Sequence, residues 1–166
     1  MKVSFINDHF KRIWAKHKDE FLERLNKLGE SGIWILGSEV DDFEKSFAEF
    51  VGTKYCVAVS SGTVAIYLAL KALGIGQGDE VITSSHTFKA TLAAIIDVGA
   101  KPVIVDIKDD GLIDPDEVEK AITSKTKAII PVHLAGAMCD MEKLEKIAEK
   151  YDIMIVEDSA QMIKPK

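Results

Sequence analysis

The chain has 166 residues, 47% of them hydrophobic and 29% charged, an ordinary globular composition with enough apolar mass for one core. Its net charge of -6 argues against a nucleic-acid partner, whose backbone demands a basic face. No run is long and apolar enough to cross a bilayer, so no membrane partner is expected. Two cysteines, Cys56 and Cys139, form no disulfide framework, and His9, His17, His86 and His133 have no zinc-type spacing. No metal is therefore expected, and a reducing cytoplasm is the expected setting. The N-terminal run MKVSFINDHFKRIW has no continuous apolar region of the signal-peptide kind.

Phe10, Ile13, Trp14, His17, Phe21, Leu25 and Leu28 recur at helical spacing among charged residues. That pattern predicts an amphipathic helix lying across the outside of the domain, stopped by Gly29 and Gly32. Trp34-Ile35-Leu36-Gly37 reads as an apolar loop. Ser38 reads as the cap of a second helix, with Val40, Phe43, Phe47 and Phe50 on one face and Gly52 at its end. Residues 1–53 thus read as a helical segment ahead of a main domain at 54–166.

From Tyr55 onward, strands and helices alternate. Tyr55–Val59 is a short apolar run rich in β-formers and is expected to be a buried strand. A buried helix follows over Val64–Leu73. Gly74, Gly76 and Gly78 read as a helix stop and turn. Further strands are expected at Val81–Thr83, Val103–Asp106, Ala128–Val132 and Ile153–Val156. Helices are expected from about Thr87 to Val98, after Asp114-Pro115 with Glu117 completing a capping box, and after Asp140 with Leu144, Ile147 and Ala148 facing inward. This alternation means crossover units: a three-layer α/β/α fold with a mostly parallel sheet. In such sheets ligands sit beyond the carboxyl ends of the strands.

The residues at those ends therefore carry the chemistry. Ser60-Ser61-Gly62-Thr63 joins a predicted strand to a predicted helix, where unpartnered N–H groups and the helix dipole favour an anion. The same turn also fits an ordinary N-cap. A nicotinamide fingerprint is missing, because the dense glycine cluster follows a helix rather than a strand. A Walker loop is missing as well. A pyridoxal 5′-phosphate (PLP) site would use the SSGT turn for phosphate, Phe88 as a stacking face and Asp158 to hold the pyridine nitrogen protonated. An ion pair at about 4 Å in an effective dielectric of about 20 is worth roughly 4 kcal/mol, enough to decide the ring's protonation state. Gln161 could donate to the ring's 3-oxygen. Taken singly, Phe88 also fits a core position, Asp158 a helix cap and His133 a structural histidine.

Read together, the runs SGIWILGSEVDDFEKSFAEFVG, YCVAVSSGTVAIYLALKALGIGQGDEVITSSHTFKATLAAIIDVGAKPVIVDI and TKAIIPVHLAGAMCDMEKLEKIAEKYDIMIVEDSAQ resemble, in this order of motifs, the PLP-dependent nucleotide-sugar aminotransferases of the DegT type. The resemblance implies the fold-type I, aspartate aminotransferase-like large domain and a homodimer with active sites at the subunit interface. It implies transfer of an amino group, usually from glutamate, onto a nucleotide-linked keto-sugar in amino-sugar and polysaccharide biosynthesis. By the same resemblance Ser61, Gly62, Thr63 and the Val64 amide hold the cofactor phosphate. Phe88 stacks on the ring, Asp158 pairs with its nitrogen, and Gln161 contacts its oxygen side. His133 belongs to the site's surroundings, while Trp34 and His86 line the substrate side.

The family's Schiff-base lysine matches no position here, Lys89, Lys164 and Lys166 included. The large domain is therefore expected to be incomplete at its C-terminal end, and the chain to be the N-terminal portion of a larger enzyme. Two alternatives stay open. One is a family dehydratase, in which histidine replaces that lysine. The other is a non-catalytic fragment that binds a phosphate or a partner through an unfinished sheet edge.

Overall fold

The computed structural model describes residues 5–163; Lys164 and Lys166 lie outside the described residues. The chain divides into two compact units, Met1–Ala58 and Val59–Lys166.

The first unit is helical. Helix α1 (Phe5–Ser31) runs past Gly29 and ends at Gly32, whose φ of +67° is the left-handed conformation that glycine tolerates. The expected second stop at Gly29 is thus corrected: a lone glycine weakens a helix without ending it. Helix α2 (Ser38–Val51) is capped at Gly37, and Ser38 is its first helical residue rather than the expected cap. Phe43, Phe47 and Phe50 do share a face, the first two rings stacking at 5.5 Å between centroids. Gly52, in the left-handed region, ends α2 by donating its N–H to the Ala48 carbonyl.

The strand expected at Tyr55–Val59 does not form. No partner strand for it exists among the described residues. Two of its backbone groups are met by side chains instead: Glu44 accepts from the Ala58 N–H at 2.7 Å, and Thr53 donates to the Tyr55 carbonyl at 3.1 Å. Tyr55 and Val57 stay 73% and 74% exposed. β-forming residues make a strand only where a neighbour supplies the ladder and the cover.

The second unit opens with α3 (Gly62–Ala72) and then alternates. Its elements are β1 (Glu80–Ser84), α4 (Lys89–Asp97), β2 (Lys101–Val105), α5 (Pro115–Ala121), β3 (Thr126–Ile130), α6 (Met141–Tyr151) and β4 (Met154–Ile155). The four strands are parallel in the order β2-β1-β3-β4. Pro102 is tolerated because β2 is an edge strand. The period of two sorts the strand residues onto two cores. Val81, Ala128 and Ile130 pack with Ile66 and Leu70 of α3 and Ala94 and Ile95 of α4. Ile82 and Ile129 pack with Val118 of α5 and Leu144 and Ile147 of α6. Three layers result, as the alternation predicts.

In the second unit the expected caps at Asp114 and Asp140 form, with one correction at Glu117. Asp140 accepts from the Lys143 N–H, and Asp114 from the Asp116 N–H. Glu117 does not complete a box; its carboxylate takes Lys120 at 2.7 Å, a pairing open to any exposed i, i+3 neighbours.

Candidate active site at the carboxyl ends of the strands

Chain direction brings the candidate residues to one end of the sheet. The strand order reverses between β1 and β3: β1 feeds α4 and then β2 on one side, while β3 feeds α6 and then β4 on the other. The crevice above such a reversal is where ligands of parallel sheets sit. Ser84–Phe88 follows β1, Pro131–His133 follows β3 and Asp158–Gln161 follows β4. Helix α3 packs on the sheet and its C-terminus leads into the start of β1, so its N-terminus lies at the carboxyl end with them.

At that N-terminus Ser61 is the cap, its Oγ accepting from the Val64 N–H at 3.3 Å. The Val64 amide, expected to face a phosphate, is thus engaged within the cap. The Gly62 and Thr63 amides have no partner among the described residues. A Cβ built on Gly62 meets nothing within 4 Å, so space lies open beside this first turn.

Phe88 is the N-cap residue of α4 and 66% exposed, which removes it from the core and leaves a ring face free. His86 brings its Nδ1 to the Gly111 carbonyl at 3.1 Å. A carbonyl only accepts, so Nδ1 carries the proton and Nε2 of the neutral ring is left as an acceptor.

Asp158 is held on both carboxylate oxygens. Thr91 donates to Oδ2 at 2.8 Å, and the Ala160 N–H to Oδ1 at 3.3 Å. Its main chain is pinned beside β3: the Asp158 N–H donates to the Pro131 carbonyl, and the His133 N–H to the Asp158 carbonyl. Gln161 accepts from the Ala135 N–H through Oε1 at 2.6 Å, which turns its amide nitrogen free to donate elsewhere.

His133 is 1% exposed. Its Nδ1 accepts from the Cys139 N–H at 3.2 Å, so its proton sits on Nε2 and is donated to Glu157 at 2.9 Å. It braces the Glu157–Asp158 segment. The buried Cys139 thiol, donating to the Val132 carbonyl, is pushed above the ordinary thiol range chiefly by desolvation. Trp34 belongs to the first unit, where it lines a cavity of about 300 Å³ with Lys27, Leu28 and Val40. No group of three or more metal-ligating side chains comes together among the described residues. No described helix is long and apolar enough to cross a membrane.

The profile of the DegT/DnrJ/EryC1/StrS aminotransferase family matches residues 15–164. The chain belongs to this family.

Among curated relatives it is similar to the dTDP-3-amino-3,6-dideoxy-alpha-D-galactopyranose transaminase of Aneurinibacillus thermoaerophilus. The two are 47% identical over 153 residues, which is 91% of this chain and 42% of that protein. Among solved structures, DesV of S. venezuelae matches with a TM-score of 0.89 at 42% identity, over 92% of this chain and 41% of DesV. NtdA of Bacillus subtilis, solved with the cofactor PMP bound, matches with a TM-score of 0.84 at 41% identity, over 89% of this chain and 35% of NtdA. This DegT-type chain therefore spans well under half the length of these relatives.

The donor set fits the pyridoxal phosphate that the family resemblance implies. Two open amides and the Thr63 hydroxyl suit an anion, the Phe88 face suits an aromatic ring, and the anchored Asp158 carboxylate suits a cationic ring nitrogen. Sequence reasoning missed Thr91 and did not find the partner of Glu157. A signal for Thr91 was present: it is a hydroxyl inside the apolar run of α4, one helical turn after Thr87, where a polar atom demands a partner. Glu157 carried no such signal, because its partner His133 lies far away in sequence.

Proposed function

We propose that this chain is the cofactor-binding portion of a PLP-dependent aminotransferase. The enzyme moves an amino group, from glutamate, onto a nucleotide-linked keto-sugar in amino-sugar and polysaccharide biosynthesis. It works as a cytoplasmic homodimer. The observation that carries the reading is Asp158: a carboxylate fixed on both oxygens, at the same end of the sheet as the open first turn of α3.

When bound, pyridoxal phosphate supplies an electron sink for bond-breaking at the amino-bearing carbon. The chain's residues bind and orient it. Gly62, Thr63 and Ser61 take the phosphate, Phe88 covers the ring, and Gln161 donates from its free amide nitrogen to the ring oxygen. Asp158 holds the proton on the ring nitrogen, since a carboxylate beside a cation favours the charged form. His133 keeps the Asp158 segment in register. His86 offers Nε2 to a sugar hydroxyl. The sugar class is supported by the dTDP-sugar transaminase relative. The dimer is supported by the first unit's exposed Phe10, Trp14 and Phe21, an apolar surface of the kind that marks association.

In this reading no lysine of the chain holds the cofactor covalently. The 166-residue chain should bind PLP reversibly, lose it on gel filtration, and give no glutamate-dependent amination of a keto-sugar nucleotide. Asp158→Asn should weaken PLP binding at least tenfold, as loss of a charge-assisted contact does. A binding constant unchanged by Asp158→Asn would remove the basis of the reading.

A further inference from the structure

Thr91 sits on α4, which follows β1, yet its hydroxyl reaches the carboxylate that follows β4. It is fully buried, so its hydroxyl has no water to turn to. An ionised carboxylate only accepts, and Thr91 has one proton, so that proton points at Asp158 Oδ2. The 3.0 Å contact between the Thr87 and Thr91 hydroxyls then runs the other way: Thr87 donates and Thr91 accepts, a shorter contact than the 3.5 Å from the Thr87 hydroxyl to its other acceptor, the Phe88 carbonyl. The chain of donation is Thr87 to Thr91 to Asp158. Its direction is fixed by the one member that cannot donate. The two donors reach different oxygens of Asp158, so the carboxyl plane cannot rotate without breaking one of them.

We infer that Thr91 is a positioning residue for the ring-nitrogen contact, setting which lone pairs of Asp158 face the cofactor. The inference rests on the pyridoxal reading of Asp158. Thr87 polarises Thr91 in turn, since hydroxyls in a chain strengthen one another. Valine has nearly the shape of threonine, so Thr91→Val removes the donor and keeps the packing. Thr91→Ser keeps the donor and loses a methyl.

The test is equilibrium dialysis of the full chain against PLP and against its carbocyclic analogue, which carries C–H in place of the ring nitrogen. The ratio of the two affinities isolates the nitrogen contact. Asp158→Asn should collapse that ratio. Thr91→Val should lower it roughly tenfold, the scale of one hydrogen bond to a charged group, by weakening PLP and sparing the analogue. Thr91→Ser should restore it. A packing role alone would weaken both ligands together. A wild-type ratio in Thr91→Val, with the ratio lost in Asp158→Asn, overturns the inference and leaves the pyridoxal reading standing. If Asp158→Asn also leaves the ratio unchanged, the pyridoxal reading fails. The cofactor-free chain then decides on Thr91: the effects of Thr91→Val and Asp158→Asn on the urea midpoint must be non-additive, and additive effects overturn the inference.

Discussion

The two units of this chain handle apolar surface in opposite ways. Val59–Lys166 buries its own: strand residues split between two helical layers, and Leu70, Ile82, Ile95, Ile129 and Leu144 are wholly covered. Among the described residues of Met1–Ala58, only Ala48 is buried, while Phe10, Trp14, Phe21, Trp34 and Leu36 stand open. Both units contain a strongly amphipathic helix, α2 in the first and α6 in the second. Periodicity makes a stripe, but a stripe becomes a core only where a second layer meets it. The second unit brings its sheet as that layer and closes on itself. The first leaves its stripes available.

The largest way to test that contrast is truncation. Leu144→Ala, in the α6 layer, should cost about 2–5 kcal/mol in urea unfolding, because it removes a fully packed side chain and leaves a cavity. Phe21→Ala, on the open face of α1, should stay within about 0.5 kcal/mol despite deleting a larger group. Equal costs would mean that the first unit's surface is covered after all.

A smaller effect separates the two units' ion pairs by pH. Glu80, at the start of β1, accepts from Thr123 at 2.7 Å and from Lys101 at 2.9 Å, tying three segments together. The Thr123 hydroxyl foremost, then Lys101, holds its carboxyl below the ordinary value of 4.5. A depressed carboxyl stabilises the fold above the unfolded-state value, and that stabilisation is lost as pH falls through the folded-state one. Glu80→Gln should therefore lower Tm at about pH 7, and its deficit should shrink as pH falls through the lowered folded-state value of Glu80. Glu23, paired with Lys27 on the exposed face of α1, also has a lowered carboxyl, yet Glu23→Gln should shift Tm little across the same range. A pH-independent deficit in Glu80→Gln would break the assignment.

The smallest perturbation leaves stability alone and reads exposure. Cys56 in the first unit is half-buried, whereas Cys139 is buried and its thiol resists ionisation. Iodoacetamide should label Cys56 first and Cys139 only on unfolding, as peptide mass mapping would register. Simultaneous labelling would mean that the second unit opens locally.

Much of this was legible in the chain itself. The β1 to β4 alternation, the Asp114 and Asp140 caps, the stop at Gly52 and the inward face of α6 are local matters. Hydrogen-bond geometry and period encode them within a few residues, so sequence reading reached them. The positions after the strand ends, Phe88, His133 and Asp158, follow from topology once the alternation is read, and Gly62 follows from the direction of α3. The strand expected at Tyr55–Val59 failed for a different reason. Its residues have the right propensity, but a strand is half of a pairing, and the other half is not written in those five residues.

Apart from Tyr55–Val59, the sequence alone determined which segments are helices or strands and which residues end up at the carboxyl edge of the sheet. Side-chain periodicity and chain direction settle both. Tertiary structure alone decided how those residues are held: Thr91 on Asp158, Glu157 on His133, Ala135 on Gln161. Each of these bonds joins groups far apart in sequence. Hydroxyls, carboxylates and amides accept many partners, and only the packed layers choose among them.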